Sequence, residues 1–364
     1  MSGRLLALHR DHGQSPWIDN LQRRHLSDGT LAALIDRGVR GLTSNPTIFQ
    51  KAITGSSDYD EQFSALTQAG MTPRDAYWRL VEDDITRAAD LFAPLHRDSR
   101  GGDGFVSVEV DPSLARDTDA TLVAARDLAG RIGRPNVMIK VPATREGLAV
   151  VRSLTAEGIS VNVTLIFSVE RHIQVMEAYI DGIEDAVGRG IDPSRIAGVA
   201  SFFISRVDAA IDPVLEQAGP TAAHLVGRSA INQARLARAA SLRMFSGDRW
   251  SRLAELGARA QRPLWASTST KNPSYPDTLY VDELIGAGTV NTLPENTLDA
   301  FDDHGTVTST LDADPERAHA EWAALKGLGV DSAIVAEHLE REGVRSFVDS
   351  FEALIADLSA KAGR

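Results

Sequence analysis

The sequence predicts an α/β protein, one (β/α)8 TIM barrel with extra helices, as a single domain over residues 1–364. Three observations lead there. Eight short strand-like runs alternate with longer amphipathic stretches. No low-complexity segment and no long Gly/Ser or Pro linker divides them. The polar residues of the strands share one face, which a barrel turns inward. A doubly wound sheet is the alternative. It would more often carry a glycine-rich nucleotide loop after its first strand, and the sequence has none.

The elements follow in order. SPWIDN at 15–20 is the first strand, and SDGTLAALIDRG after it reads as a helix with a capping serine and a closing glycine. GVRGLTS at 38–44 is the second strand. The long helix TPRDAYWRLVEDDITRAADLFAPL leads to FVSVEV at 105–110. DATLVAARDLAGRIG leads to NVMIKVP at 136–142, and REGLAVVRSLTAEG to ISVNVTL at 159–165. SVERHIQVMEAYIDGIEDAVGRG precedes IAGVASFF at 196–203. A longer helical insert containing SAINQARLARAASLRMF precedes PLWAST at 263–268. GTVNTL at 288–293 is the eighth strand. The helix PENTLDAFDDHG and two more, near 315–327 and 346–361, complete the chain.

Composition narrows the function. Hydrophobic residues make up 43% and charged residues 24%, ordinary for a soluble globular protein. A net charge of −12 argues against a nucleic-acid surface. Without cysteine there is neither disulfide nor thiolate chemistry. The N-terminal apolar run is too short for a signal peptide, and no segment approaches the ~20 apolar residues of a membrane span. The protein therefore reads as cytoplasmic, with no membrane partner. The nine histidines show no metal-ligand spacing. No cofactor and no metal is expected.

NVMIKVPAT holds the sharpest chemical signal. Only five of the 38 basic residues are lysines, yet one of them, Lys140, sits inside a strand. Such a lysine could snorkel to solvent. It could also serve for its amine, which can lose its proton and act as a nucleophile where a guanidinium cannot. Parity favours the second reading. Ser107 and Glu109 separate from Val106 and Val108, and Asn162 and Thr164 separate from Val161, Val163 and Leu165. Ser201 pairs with Phe203, Ser267 with Trp265 and Ser269, Asp19 with Trp17, and Asn45 with Thr43. Helices cover the outer face of a barrel, so a recurrent polar face describes an active-site bowl. Burial disfavours a charged lysine. A neutral amine attacks a ketone to form an imine, and the protonated imine is an electron sink for C–C cleavage. Asp19 and Glu109 supply the base and acid that this needs.

Several ordered motifs resemble transaldolase, a class I Schiff-base enzyme family. GLTSNPTIFQKAI resembles its first signature and NVMIKVPAT its lysine signature, while EVDP, VNVTLIFS and SFFISRVD match in order and spacing. The resemblance implies roles. Lys140 is the Schiff-base lysine. Asp19 is the base beside the breaking bond. Glu109 is the acid–base partner, working through a water that Thr164 holds. Asn45, Asn162 and Ser201 hold hydroxyls, Phe203 packs over the reacting carbons, and Arg206 is the main phosphate ligand. Out of context Asn45 is also a good helix N-cap, and Asn162 and Thr164 could bridge polar layers inside the barrel. Asp111 before Pro112 reads only as a cap.

The seventh strand departs from the family pattern of serine, aromatic residue and arginine. Ser267 aligns with the serine, but no arginine follows, and Lys271 is the nearest cation. The implied substrates are sedoheptulose 7-phosphate, fructose 6-phosphate, glyceraldehyde 3-phosphate and erythrose 4-phosphate. A fructose 6-phosphate aldolase-like enzyme and a non-catalytic sugar-phosphate-binding barrel are the alternatives. Related aldolases tend to have tyrosine at Phe203 and glutamine at Glu109, so both positions favour transfer. The oligomeric state stays open, with a homodimer as the assembly considered.

Overall fold

The structure, a computed structural model, describes residues 3–363, so the expected domain limits at 1 and 364 lie just outside it. Helix α1 (Arg4–His12) precedes β1 (Ser15–Ile18), and α2 (Thr30–Asp36) precedes β2 (Gly41–Thr43). Then come α3 (Pro46–Thr54), α4 (Asp60–Gln68), α5 (Pro73–Asp98) and β3 (Phe105–Glu109). Next are α6 (Thr118–Ile132), β4 (Val137–Pro142), α7 (Arg145–Ala156), β5 (Val161–Ile166), α8 (Val169–Gly188) and β6 (Gly198–Phe203). Three helices, α9 (Ser205–Gln217), α10 (Ser229–Met244) and α11 (Asp248–Glu255), form the insert before β7 (Arg262–Ala266). The short α12 (Leu279–Asp282) precedes β8 (Val290–Leu293). The chain ends in α13 (Glu295–His304), α14 (Pro315–Ala324) and α15 (Ser332–Ala362).

All eight expected strands are present and pair in parallel, in sequence order, into a closed barrel. Closure leaves no edge strand and buries both faces. Polar caps start the helices that surround it. Thr72, Asp117, Thr144 and Ser168 each accept a backbone N–H at the start of α5, α6, α7 and α8. The barrel wall also needs close approach at one strand start. A Cβ at Gly41 would lie 2.5 Å from Cε2 of Trp17.

The bottom of the barrel closes on a buried charge. Asp103, just before β3, accepts from Ser15 Oγ at 2.8 Å, Arg40 Nε at 2.6 Å and Arg262 Nη2 at 3.1 Å. Burial pushes its carboxyl up, but Arg262, Arg40 and Ser15 together hold it below the usual range.

Three sequence expectations need correction. No serine caps α2: Gly29 occupies that position at φ 88, and Asp28 accepts from Thr30 N. The alternation in β5 ends early. Leu165 has φ 60 at a register shift against β6, so it does not continue the face of Val161 and Val163. The last helix begins at Ser332, capped by Asp331, rather than near 346. Gly343 lies inside that helix, over Leu165. A Cβ there would stand 2.8 Å from Leu165 Cδ2, so the two pack closely.

Candidate active site

Strand register assembles the site. Across β3 and β4, Glu109 pairs with Lys140; across β4 and β5, Lys140 pairs with Asn162 and Pro142 with Thr164. Paired residues on neighbouring strands share a face. Lys140 is 4% exposed. Its Nζ lies 3.4 Å from Glu109 Oε2 and donates to Ser44 O at 3.1 Å. The carbonyl of the TSNP turn thus aims the amine. Neither oxygen of Glu109 has a hydrogen-bond partner among the described residues, nor has the buried Oγ1 of Thr164. Unsatisfied polar atoms of this kind mark a place for water. Burial pushes the Glu109 carboxyl up to about 7, with Asp19 adding to the rise and Lys140 opposing it.

Asp19 stands at the C-terminal end of β1. Its Oδ1 accepts from Thr43 Oγ1 at 2.6 Å, and Thr43 Oγ1 lies 2.7 Å from Thr292 Oγ1. A hydroxyl has one proton, so Thr43 gives its own to Asp19 and accepts from Thr292. Burial raises the Asp19 carboxyl, opposed by Lys140, Thr43 and Arg206. These residues converge on one cavity of about 130 Å³. Asp19, Asn45, Lys140, Ser201, Phe203, Arg206, Ser267, Ser269, Lys271 and Thr292 line it. Past Asp19 and Pro294 lies a wider vestibule of about 420 Å³ that includes Lys51.

Glu109, Asn162 and Thr164 do not line that cavity. All three are buried. Asn162 is committed on both sides: Nδ2 donates to Ser107 Oγ at 3.0 Å, and Oδ1 accepts from Ser201 Oγ at 2.7 Å. The bridging geometry considered for it is present. Asn45 serves as the helix N-cap its sequence context suggested. Oδ1 caps α3 by accepting from Ile48 N at 3.0 Å, while the residue lines the cavity. Asp111 caps the turn after β3 through Ser113 N, as expected.

One end of the cavity is cationic. The Arg206 guanidinium lies 5.1 Å from the centre of the Phe203 ring and forms no ion pair among the described residues. Burial lowers its pKa, against the pull of Glu342 and Asp19. Lys271 Nζ donates to Ser269 Oγ at 3.0 Å. Burial, then Arg206 and Lys51, push the Lys271 ammonium down. Cations gathered with no ion-pair partner among the described residues suit an anion. Ser267, at φ 56, lies 2.9 Å from Ser205 by their hydroxyls. Among the described residues no group of His, Asp or Glu could hold a metal ion.

The family described as Transaldolase/Fructose-6-phosphate aldolase matches residues 16–358. The chain belongs to that family. A transaldolase of Parafrankia sp. is 49% identical over 96% of each chain. Transaldolases of Acidothermus cellulolyticus and Thermobifida fusca are also 49% identical, covering 97% and 95% of this chain and 95% of their own lengths. Within the family the chain is accordingly a transferase of the transaldolase type. The Schiff-base chemistry of the family fits its buried lysine.

The sequence does not disclose the roof of this candidate site. Phe347 of α15 lines the cavity, with its ring centre 5.9 Å from Lys140 Nζ. A lone phenylalanine on a helix carries no chemical signal, and the packing of α15 against α3, α5, α9 and β5 brings it there. The Thr43–Thr292 relay was missed for a similar reason. It joins β2 to β8 across the barrel closure. No helix is long and apolar enough to cross a membrane among the described residues.

Proposed function

We propose that this chain moves a dihydroxyacetone unit from sedoheptulose 7-phosphate to glyceraldehyde 3-phosphate, giving erythrose 4-phosphate and fructose 6-phosphate. The observation that carries the reading is a buried lysine amine beside an unsatisfied carboxylate, in a cavity whose far end is cationic. The Lys140 amine attacks the ketose C2. Glu109, through a water held by Thr164, gives the proton with which the carbinolamine hydroxyl leaves as water. Asp19 takes the proton of the C4 hydroxyl, the C3–C4 bond breaks, and its electrons enter the imine. Erythrose 4-phosphate departs. The enamine left on Lys140 attacks the aldehyde of glyceraldehyde 3-phosphate, Asp19 returns its proton, and hydrolysis of the imine frees fructose 6-phosphate.

Asn45 and Ser201 hold hydroxyls of the three-carbon unit, and Asn162 acts through Ser201. Arg206, Ser267 and Lys271 bind phosphate. The lysine supplies a point charge rather than the planar fork of an arginine. Phe203 and Phe347 enclose the reacting carbons in apolar surface, which favours transfer over release of free dihydroxyacetone.

Borohydride reduction in the presence of fructose 6-phosphate tests the reading. One three-carbon adduct should map to Lys140 by peptide mass. Lys140→Arg should keep the fold and lose turnover, because guanidinium stays protonated. An adduct on Lys51 or Lys271 instead would overturn the assignment.

A further inference from the structure

Two buried carboxylates beside the site take no part in the reaction. Asp208 and Asp212 lie one turn apart on α9 and are 1% and 6% exposed. Asp208 accepts from Ala230 N at 2.7 Å and from the Tyr280 hydroxyl at 2.8 Å. Asp212 accepts from Gly227 N at 3.0 Å and from the Tyr275 hydroxyl at 2.6 Å. Each aspartate therefore ties α9 to two other segments. One is the start of α10. The other is the stretch after β7, with Tyr275 in the loop and Tyr280 on α12. Neither aspartate forms an ion pair among the described residues, so what they fix is geometry.

That stretch after β7 carries Ser267, Ser269 and Lys271, while Arg206 stands at the start of α9. At its near end the stretch is fastened to α9 by Ser205 N donating to Ser267 O at 3.1 Å. At its far end the tyrosines fasten it. Thr268 is held by its hydroxyl donating to Thr292 O at 3.1 Å. Residues 269–274 arch from there to the tyrosines, and among the described residues the Lys271 ammonium has a single hydrogen bond, to Ser269. Gly227 lets the far anchor sit close, since a Cβ there would come within 2.8 Å of the Tyr275 ring. Buried charge-assisted bonds are strong and directional.

We infer that Asp208 and Asp212 are positioning residues, which through Tyr280 and Tyr275 hold the arch bearing Lys271 at the separation from Arg206 that a substrate phosphate requires. This role rests on Arg206 and Lys271 being the phosphate ligands. It predicts an effect confined to phosphorylated substrates, where simple loss of stability would touch all substrates alike.

Tyr275→Phe in the full-length enzyme keeps the ring and removes only the hydroxyl. KM for glyceraldehyde 3-phosphate should rise roughly five- to twenty-fold, while KM for unphosphorylated glyceraldehyde and kcat stay unchanged. Asp212→Asn should act in the same direction. In a Lys271→Ala background Tyr275→Phe should add nothing, because the tether then has no cation to place. An unchanged KM, an equal rise for both acceptors, or full additivity with Lys271→Ala would overturn the positioning role. Arg206→Ala separates the two failures. If it raises KM for the phosphorylated acceptor and Tyr275→Phe does not, the phosphate site stands and the tether fails. If Arg206→Ala also leaves KM unchanged, the phosphate assignment falls and takes the tether with it.

Discussion

Glu109→Gln is the most informative single change. The wild-type carboxyl is raised from 4.5 to about 7 by burial. At neutral pH it is therefore divided about evenly between acid and base, as the proposed role of giving and taking a proton would require. Two pH units lower, about one molecule in a hundred carries the ionised form, and two units higher about one in a hundred carries the protonated form. Imine formation, followed by the rate of borohydride-trapped adduct with fructose 6-phosphate, should thus change course near pH 7. Glutamine has no proton to exchange. The variant should lose roughly 10²–10⁴ in that rate and lose the feature near pH 7 with it. Asp19→Asn gives the directional control. The Asp19 charge helps to raise Glu109, so its removal should move the feature to lower pH. The same variant should still form some imine while blocking C–C cleavage. A Glu109→Gln enzyme that traps adduct at the wild-type rate, or keeps the feature near pH 7, would refute the role of Glu109.

Two further outcomes follow from the packing. Phe203→Tyr adds a hydroxyl that can hold water or relay a proton to the three-carbon intermediate. The ratio of free dihydroxyacetone to transfer product from fructose 6-phosphate should rise, and an unchanged ratio would leave Phe203 as packing alone. Asp103→Asn removes the counter-charge of Arg40 and Arg262 at the barrel bottom. It should cost about 3 kcal/mol near pH 7, read as a lower denaturant midpoint at an unchanged slope. The folded pKa of Asp103 is depressed, so this stability is present above the ordinary carboxylate range. The gap between variant and wild type should close as pH falls through the depressed value. A gap that persists in acid would contradict the charge argument.

The eight strands are legible in the sequence because each is a short, largely apolar run set between longer amphipathic stretches. The floor of the site is legible because strand parity brings Glu109, Lys140, Asn162 and Ser201 to one face before any coordinates are known. What stayed hidden depends on contacts far apart in the chain. Phe347 looks like any core phenylalanine until α15 lays it over a lysine of β4. The bulge at Leu165 breaks an alternation that local sequence gives no reason to doubt. At β7, sequence could nominate Lys271 but not the tyrosine tethers, because phenols on a loop name no partner. The partition of Asn162 below the cavity and Ser201 within it likewise appears only once the barrel closes.

The scarcity of lysine has a chemical consequence beyond the reaction. A molecule that handles sugar aldehydes and ketones stands permanently among reagents that condense with amines. Guanidinium keeps its proton and does not condense. Of the five lysines, Lys140 is enclosed in the bowl, and Lys51, Lys271, Lys326 and Lys361 reach solvent. Arginine carries the rest of the surface positive charge. The chain thereby offers few places where a stray carbonyl can lodge, and Lys361 is further occupied by Asp60. Slow sugar damage should concentrate at the remaining exposed amines, and those at the mouth, Lys51 and Lys271, lie where the sugars are densest.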